Sequence, residues 1–282
     1  MTLVARFEDG VRVDMKEWKK WLDYTLLQIE RAPIRLEPYP HLYIRNIFHR
    51  DCYAKLTEAW PSLERFEGQQ ESSHSEMECP VPDLRRILLT EDVELVTEEP
   101  KFQDFWRSFD KMIRGEELSR ALVKRASPAI LEVRDDLPEQ VTITPHSTLE
   151  WDLDGFQVTP HLDDRRYLLT CLFYAPDRFD SPQLGTALLE PKPHLYEQYQ
   201  NLGNTYFEHY WDWNDFEEVT RAPFIPNSLF VLIVSPRAYH ALPRIENSEG
   251  NRKNILLNIY HDYNQPFVSL RDRFPGKYAN RI

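Results

Sequence analysis

His161 and Asp163 stand two positions apart in "GFQVTPHLDDRRYLLTCLFYAP" (155–176), just ahead of an apolar run. In an extended chain, side chains two apart point to the same face, so this imidazole and this carboxylate can reach one point together. Two imidazoles and one carboxylate on one side of a divalent iron leave the opposite positions open for substrate and oxygen. His-x-Asp supplies two of these ligands. The third must come from a strand remote in sequence and adjacent in the fold. Asp164 is a neighbouring acid, but alternation turns it outward, so Asp163 is the expected ligand. Taken alone, "HLD" is also what a solvent-exposed turn would contain.

Three later histidines lie at a sensible distance. His194 sits in "PKPHLYEQY", which reads as a loop entering a helix, and His209 in the aromatic "YFEHYWDWNDF", which is not strand-like. His240 ends "PNSLFVLIVSPRAYHAL" two residues early, where a strongly apolar strand runs into a short turn, and it is the expected partner. If the open positions take 2-oxoglutarate, its far carboxylate needs a cation from the next strand. Arg252 in "NRKNILLNIY" opens such a strand, and its planar fork suits a carboxylate. Alternation aims Arg252, Asn254, Leu256, Asn258 and Tyr260 to one side and Lys253 to the other. Thr170, Gln157 and Asn258 are candidates for the rest of the pocket wall.

The elements that must position these residues fall into two halves. Residues 14–31 place Trp18, Trp21, Leu22, Thr25, Leu26 and Ile29 on one helical face, with Asp14 and Glu17 as a capping box. A strand is expected over 40–48 and helices over 49–60, 101–114 and 116–134. The polar, Pro-bounded stretch 67–83 reads as a loop able to act as a lid. Its "HSEMEC", with His74, Glu76, Glu78 and Cys79, reads as solvated. After Pro138, seven or more short segments rich in β-branched and aromatic residues point to a sandwich or jelly roll rather than alternating βα units. His261 and Asp262 end the last of them. The aromatic cluster at 206–216 reads as packing over a sheet, with a substrate groove as the alternative.

Composition narrows the function. With 282 residues, 41% of them hydrophobic, the chain can bury a sizeable core. A formal net charge of −12 argues against nucleic-acid binding through the phosphate backbone. Only 8 glycines occur, and neither G-x-G-x-x-G nor a Walker-type loop is among them, which disfavours nucleotide chemistry of those kinds. No run of about 18 apolar residues suggests a membrane span. Three scattered cysteines and an opening without an export signal give a cytoplasmic location as the expectation.

On "PHLD", "PNSLFVLIVSPRAYHAL" and "NRKNILLNIY", the chain resembles the iron(II)/2-oxoglutarate-dependent dioxygenases, particularly the prolyl-4-hydroxylase-like branch. "PYPHLYIRNIFHRDCYAKL" is similar to the strand and helix that open the domain in that branch. The resemblance spans most of residues 38–262. It implies a mainly β fold with α support: a double-stranded β-helix, or jelly roll, over about 138–265. Helical support extends to about 137, and 1–37 forms a helical extension outside the 38–282 domain. It also implies that His161, Asp163 and His240 bind iron and that Arg252 binds the 2-oxoglutarate C5 carboxylate, with Asn258 and Thr170 nearby and ascorbate as an auxiliary reductant. The interval from His240 to Arg252 is longer than the family's usual one, and "PRIENSEGN" would form the enlarged hairpin.

The expected activity is hydroxylation of an unactivated C–H bond of a small molecule or peptidyl residue, consuming O2 and 2-oxoglutarate and releasing succinate and CO2. Asp163 favours hydroxylation over halogenation, because related halogenases replace that carboxylate with a small residue. Two rivals stand beside it. One is a cupin-like metal enzyme without 2-oxoglutarate, in which an inward Arg252 would lack a partner. The other is a non-enzymatic β-sandwich that binds carbohydrate or protein.

Overall fold

The computed structural model describes residues 15–68, 85–88, 93, 96–135, 137, 140–176, 181–205, 210–246, 252–262 and 268–269. Asp14 of the expected capping box, most of the 67–83 loop with "HSEMEC", His209 and the end of "PRIENSEGN" lie outside the described residues.

Eight strands make the sandwich: β1 (Gln140–Asp152), β2 (Val158–His161), β3 (Tyr167–Tyr174), β4 (Thr186–Pro191), β5 (Phe216–Ala222), β6 (Ser228–Ile233), β7 (His240–Leu242) and β8 (Arg252–Asp262). The large sheet runs β6-β3-β8-β1, and the small sheet runs β2-β7-β4-β5. All these pairings are antiparallel. The chain crosses from one sheet to the other at every link except β4 to β5, which pair within the small sheet, so two four-stranded sheets wind as a double-stranded β-helix. His41–Arg45 and Ile34–Arg35 extend the large sheet beyond β6, while Arg85–Leu88 and Glu67–Gly68 extend it beyond β1. Asn227 fixes the first extension: at φ 55°, its side chain accepts from Phe48 N and donates to Phe48 O, both at 2.9 Å.

Alternation sorts the side chains of the large sheet between two cores. Leu169, Cys171, Phe173, Leu229, Val231, Ile233, Ile255, Leu257 and Ile259 face the helices. Leu172, Tyr174, Phe230 and Leu232 face the small sheet, where they meet Leu184, Leu188, Phe224 and Leu242. Because both faces are covered, β6 is buried at every position and reads as an unbroken apolar run rather than an alternating one.

The helical layer comprises α1 (Met15–Arg31), α2 (Arg50–Glu58), α3 (Pro100–Ile113) and α4 (Glu116–Val133). In α1, the 3- and 4-residue spacing of Trp18, Trp21, Thr25 and Ile29 forms a buried stripe, and these residues join the core shared with the large sheet. Pro100 starts α3, where its missing N–H costs nothing, and Phe105, Trp106 and Phe109 are its buried face. A fully buried Phe such as Phe109 contributes roughly 1.5–3 kcal/mol relative to exposure. Gly115 makes the α3–α4 turn possible, because a Cβ there would lie 2.5 Å from Lys111 O. A fifth helix, α5 (Tyr196–Thr205), covers the outer face of the small sheet with Tyr199, among Leu189, Phe216 and Tyr239.

Candidate metal centre

The register of the small sheet brings two remote histidines together. His240 on β7 lies opposite His161 on β2, and their ring centroids are 4.0 Å apart. Asp163 follows on the link from β2 to β3. Its Oδ1 lies 3.6 Å from His161 Nε2 and 3.5 Å from His240 Nε2. The three side chains are between 8% and 13% exposed, sheltered yet reachable. One ligand atom from each lies within 4.8 Å of the others, and this is the group among the described residues able to hold a metal ion.

Hydrogen bonds decide which atoms face inward. Nδ1 of His161 lies 2.9 Å from Thr159 O, and Nδ1 of His240 lies 2.9 Å from Ala238 O. A carbonyl only accepts, so each Nδ1 carries the proton and donates, leaving both Nε2 lone pairs turned to Asp163. Thr170 Oγ1 donates to Asp163 Oδ2 at 2.6 Å, which leaves Oδ1 for the rings or an ion. Each group therefore has its second polar atom bonded outward, the arrangement that orients metal ligands. Two neutral imidazole nitrogens with one carboxylate oxygen fit a non-haem iron(II) site.

The charges interlock. Burial alone would raise the Asp163 carboxyl, but His240 and His161 beside it outweigh burial and hold it well below the usual carboxylate range. Burial and the neighbouring His240 lower His161, with Asp163 partly offsetting them. Burial also acts to lower His240, yet Asp163 outweighs it and the net shift is upward. In the metal-free cluster, His240 is thus the ring that holds a proton more readily.

The surroundings brace this group. Tyr210 stacks on His161, with centroids 5.0 Å apart and planes 10° from parallel, and Trp211 N donates to Pro160 O at 2.8 Å. Arg134, capping the end of α4, donates to Arg165 O at 2.8 Å and Tyr167 O at 3.1 Å, with a longer contact of 3.4 Å to Val234 O. It thereby ties the helical layer to the link after Asp163 and the turn before His240. Asp164 is turned away from the rings: it accepts from Arg166 N at 2.8 Å and pairs with the Arg166 guanidinium. His194 is exposed on the short turn before α5.

Of the residues expected to hold 2-oxoglutarate, Thr170 directs its hydroxyl to Asp163. Asn258 lies opposite Thr170 in the β8–β3 pairing, and its Oδ1 is buried without a partner. Arg252 faces the space between the sheets, but its six-residue offset along β8 separates its backbone from that of Asn258 by roughly 20 Å. Its Nε donates to Leu184 O at 2.9 Å, its fork lies 5.7 Å over the Phe224 ring, and it forms a buried ion pair with Asp152 across the β8–β1 pairing. Lys253 points the other way, onto Trp151 at 4.2 Å. Sequence reasoning did not single out Asp152, Tyr210 or Arg134. The inward parity of Thr170 at the start of the strand after "HLD" was the one available hint of its contact with Asp163.

A cavity of about 60 Å³ lies between Tyr39, the end of β4 and α5, lined by Tyr39, Glu190, Tyr196, Gln200, Arg237 and Tyr239, and none of the three clustered side chains lines it. Tyr39 Oη donates to the carbonyl of Tyr239, the residue before His240, at 2.5 Å. Burial raises the Tyr39 phenol, and the Asp163 charge adds to the shift, so this wall feels the cluster. Trp211 and Trp213 of the aromatic cluster pack against Tyr199, Phe216 and Tyr239 on the outer face of the small sheet.

No protein-family model matches the chain, and no curated protein sequence does. Among solved structures it is similar to HygX from Streptomyces hygroscopicus with nickel and 2-oxoglutarate bound, at 12% identity over 81% of this chain and 85% of that one, TM-score 0.42. AviO1 from Streptomyces viridochromogenes Tue57 is 14% identical over 86% and 96%, TM-score 0.41. A Pseudomonas putida prolyl-4-hydroxylase is 9% identical over 85% and 97%, TM-score 0.40. At such distances the fold rests on the strand order above and the function on the site itself.

Proposed function

We propose that the chain is an iron(II)- and 2-oxoglutarate-dependent oxygenase that hydroxylates a C–H bond of a small molecule or peptidyl residue. The observation that carries this reading is the convergence of His161 Nε2, Asp163 Oδ1 and His240 Nε2, each with its other polar atom already bonded outward. Iron with 2-oxoglutarate and O2 would supply the oxidising power, by decarboxylation to succinate and CO2. The chain's own part is geometric. His161, Asp163 and His240 hold the ion from one side, Thr170 and the two carbonyls keep the ligand atoms aimed, and Tyr210 shields one flank. Arg252 is proposed for the far carboxylate on the sequence resemblance alone, since its fork is held at the far end of β8 by Leu184 O and Asp152.

A second reading has its own observation. Arg252 already has Asp152 as a buried counter-charge, so an inward arginine does not by itself require a cosubstrate carboxylate, and a metal enzyme without 2-oxoglutarate accounts for the same pair. Anaerobic titration of iron(II) and then 2-oxoglutarate separates the two. A visible charge-transfer band that needs both additions and is lost in His240→Ala supports the oxygenase. Iron binding without a band, and without succinate formation in air, transfers support to the second reading. Failure to bind iron at all would leave a β-sandwich binding module.

A further inference from the structure

The cavity beside Tyr39 is lined neither by the floor of the sandwich, where Arg252 pairs with Asp152, nor by the three side chains that converge at its mouth. Its volume of about 60 Å³ is several times the roughly 10–15 Å³ that one water needs, which suits a ligand of a few heavy atoms. Two opposite charges line it. β7 and β4 pair with His240 opposite Leu188, and Leu189 N donates to Tyr239 O at 2.9 Å, so the turn before β7 runs beside the end of β4. Arg237 and Glu190 therefore come from neighbouring stretches of chain, and both line the cavity. Both are exposed, yet among the described residues neither side chain forms an ion pair or hydrogen bond, with the other or with a third group.

The wall behind them is fixed. Tyr39 Oη and Leu189 N both donate to Tyr239 O, and the Tyr39 carbonyl accepts from His41 Nδ1 at 2.9 Å. Tyr239 Oη donates to Tyr199 O at 2.5 Å, which ties α5, the source of Tyr196 and Gln200, to the same turn. A site whose walls are already held loses little order on binding. We infer that this cavity binds a small α-amino acid as its zwitterion, with the carboxylate on Arg237 and the ammonium on Glu190. The planar fork of arginine matches a carboxylate, a carboxylate side chain accepts from the ammonium donors, and Pro38 and Pro191 offer an apolar edge to a short side chain. A lone exposed ion pair contributes little, so selectivity comes from satisfying both charges at once. The site stands apart from the metal centre and does not depend on the oxygenase reading.

The test follows the methyl proton relaxation of L-alanine, propionate and ethylamine as each is titrated with the full chain. Propionate lacks the ammonium group and ethylamine the carboxylate. The titrations are run with a chelator present and repeated after zinc(II) loading. The expected result is saturable binding of L-alanine in both states, about tenfold or more tighter than that of either analogue. Arg237→Gln and Glu190→Gln, both at exposed positions, should each weaken it by a similar factor. No saturable binding of L-alanine, or propionate binding as tightly as L-alanine, would overturn the inference. So would affinity unmoved by either substitution, or binding that appears only with zinc, which would put the amino acid on the metal. The oxygenase reading has its own titration and survives each of these results.

Discussion

The two ends of the sandwich handle buried charge in opposite ways. At the floor, a cation and an anion face each other and cancel. At the mouth, three side-chain atoms face a common point with their outer atoms bonded away. Both arrangements bury polar groups at a cost, but only the open one is poised for an ion. The difference teaches where binding energy is available: it lies where ligand atoms converge on one point, whereas a closed pair must first be opened.

Breaking the mouth should have the largest effect. His161→Ala, Asp163→Ala or His240→Ala removes a ligand atom outright, so cobalt(II) or manganese(II) affinity should fall by more than the roughly 100-fold that is the upper range for losing a hydrogen-bond partner of a ligand. Equilibrium titration of the folded variants checks this, and retained affinity in any one would remove that residue from the set. Breaking the floor should cost folding stability instead. Arg252→Met leaves Asp152 buried and uncompensated, and about 3–5 kcal/mol of unfolding free energy should be lost. Urea denaturation should then find most of that loss recovered in the double variant Arg252→Met with Asp152→Leu, where no charge remains.

Acidity sharpens the contrast. A metal competes with a proton for His240 Nε2, and Asp163 raises the pKa of that ring. Metal affinity should therefore be flat above the raised pKa and fall about tenfold per pH unit below it, the ideal slope for one competing proton. In the metal-free protein the sign is reversed for stability. The His240 contribution is fully present below about pH 6.5, the unfolded value, and is lost as pH rises through the folded pKa. Metal titrations and urea melts across that window should thus run in opposite directions. The smallest expected effect belongs to Thr170→Val, which frees Asp163 Oδ2 and should weaken metal binding about tenfold. Thr170→Ser should restore it, whereas equal weakening in both would point to packing rather than the hydroxyl.

The sequence carried the mouth better than the floor, for a physical reason. His161 and Asp163 are local neighbours, and His240 follows an apolar run that announces its strand, so short-range pattern suffices for all three. The β-rich second half and the helices over 101–114 and 116–134 were legible in the same way, the latter to within a residue of α3 and α4. Asp152 was not, because its contact with Arg252 depends on the β8–β1 register between strands far apart in the chain, and a slip of one residue would face it the other way. Arg134 escaped for a similar reason. Its carbonyl partners lie at the start of β3, on the link before it and just past β6, and their closeness is a property of the finished fold.

That last contact has a consequence for how occupancy of the site is communicated. The Arg134 guanidinium bonds backbone on both sides of the ligand set, so whatever stills those loops also stills the C-terminal turn of α4 on the far side of the large sheet. An ion held at 100 times its Kd adds about 2.7 kcal/mol to the stability of the folded state. A share of that stabilisation should appear as slower amide exchange in the last turn of α4, with a smaller effect in α1. The helical layer would then act as a built-in reporter of metal loading, readable without any substrate.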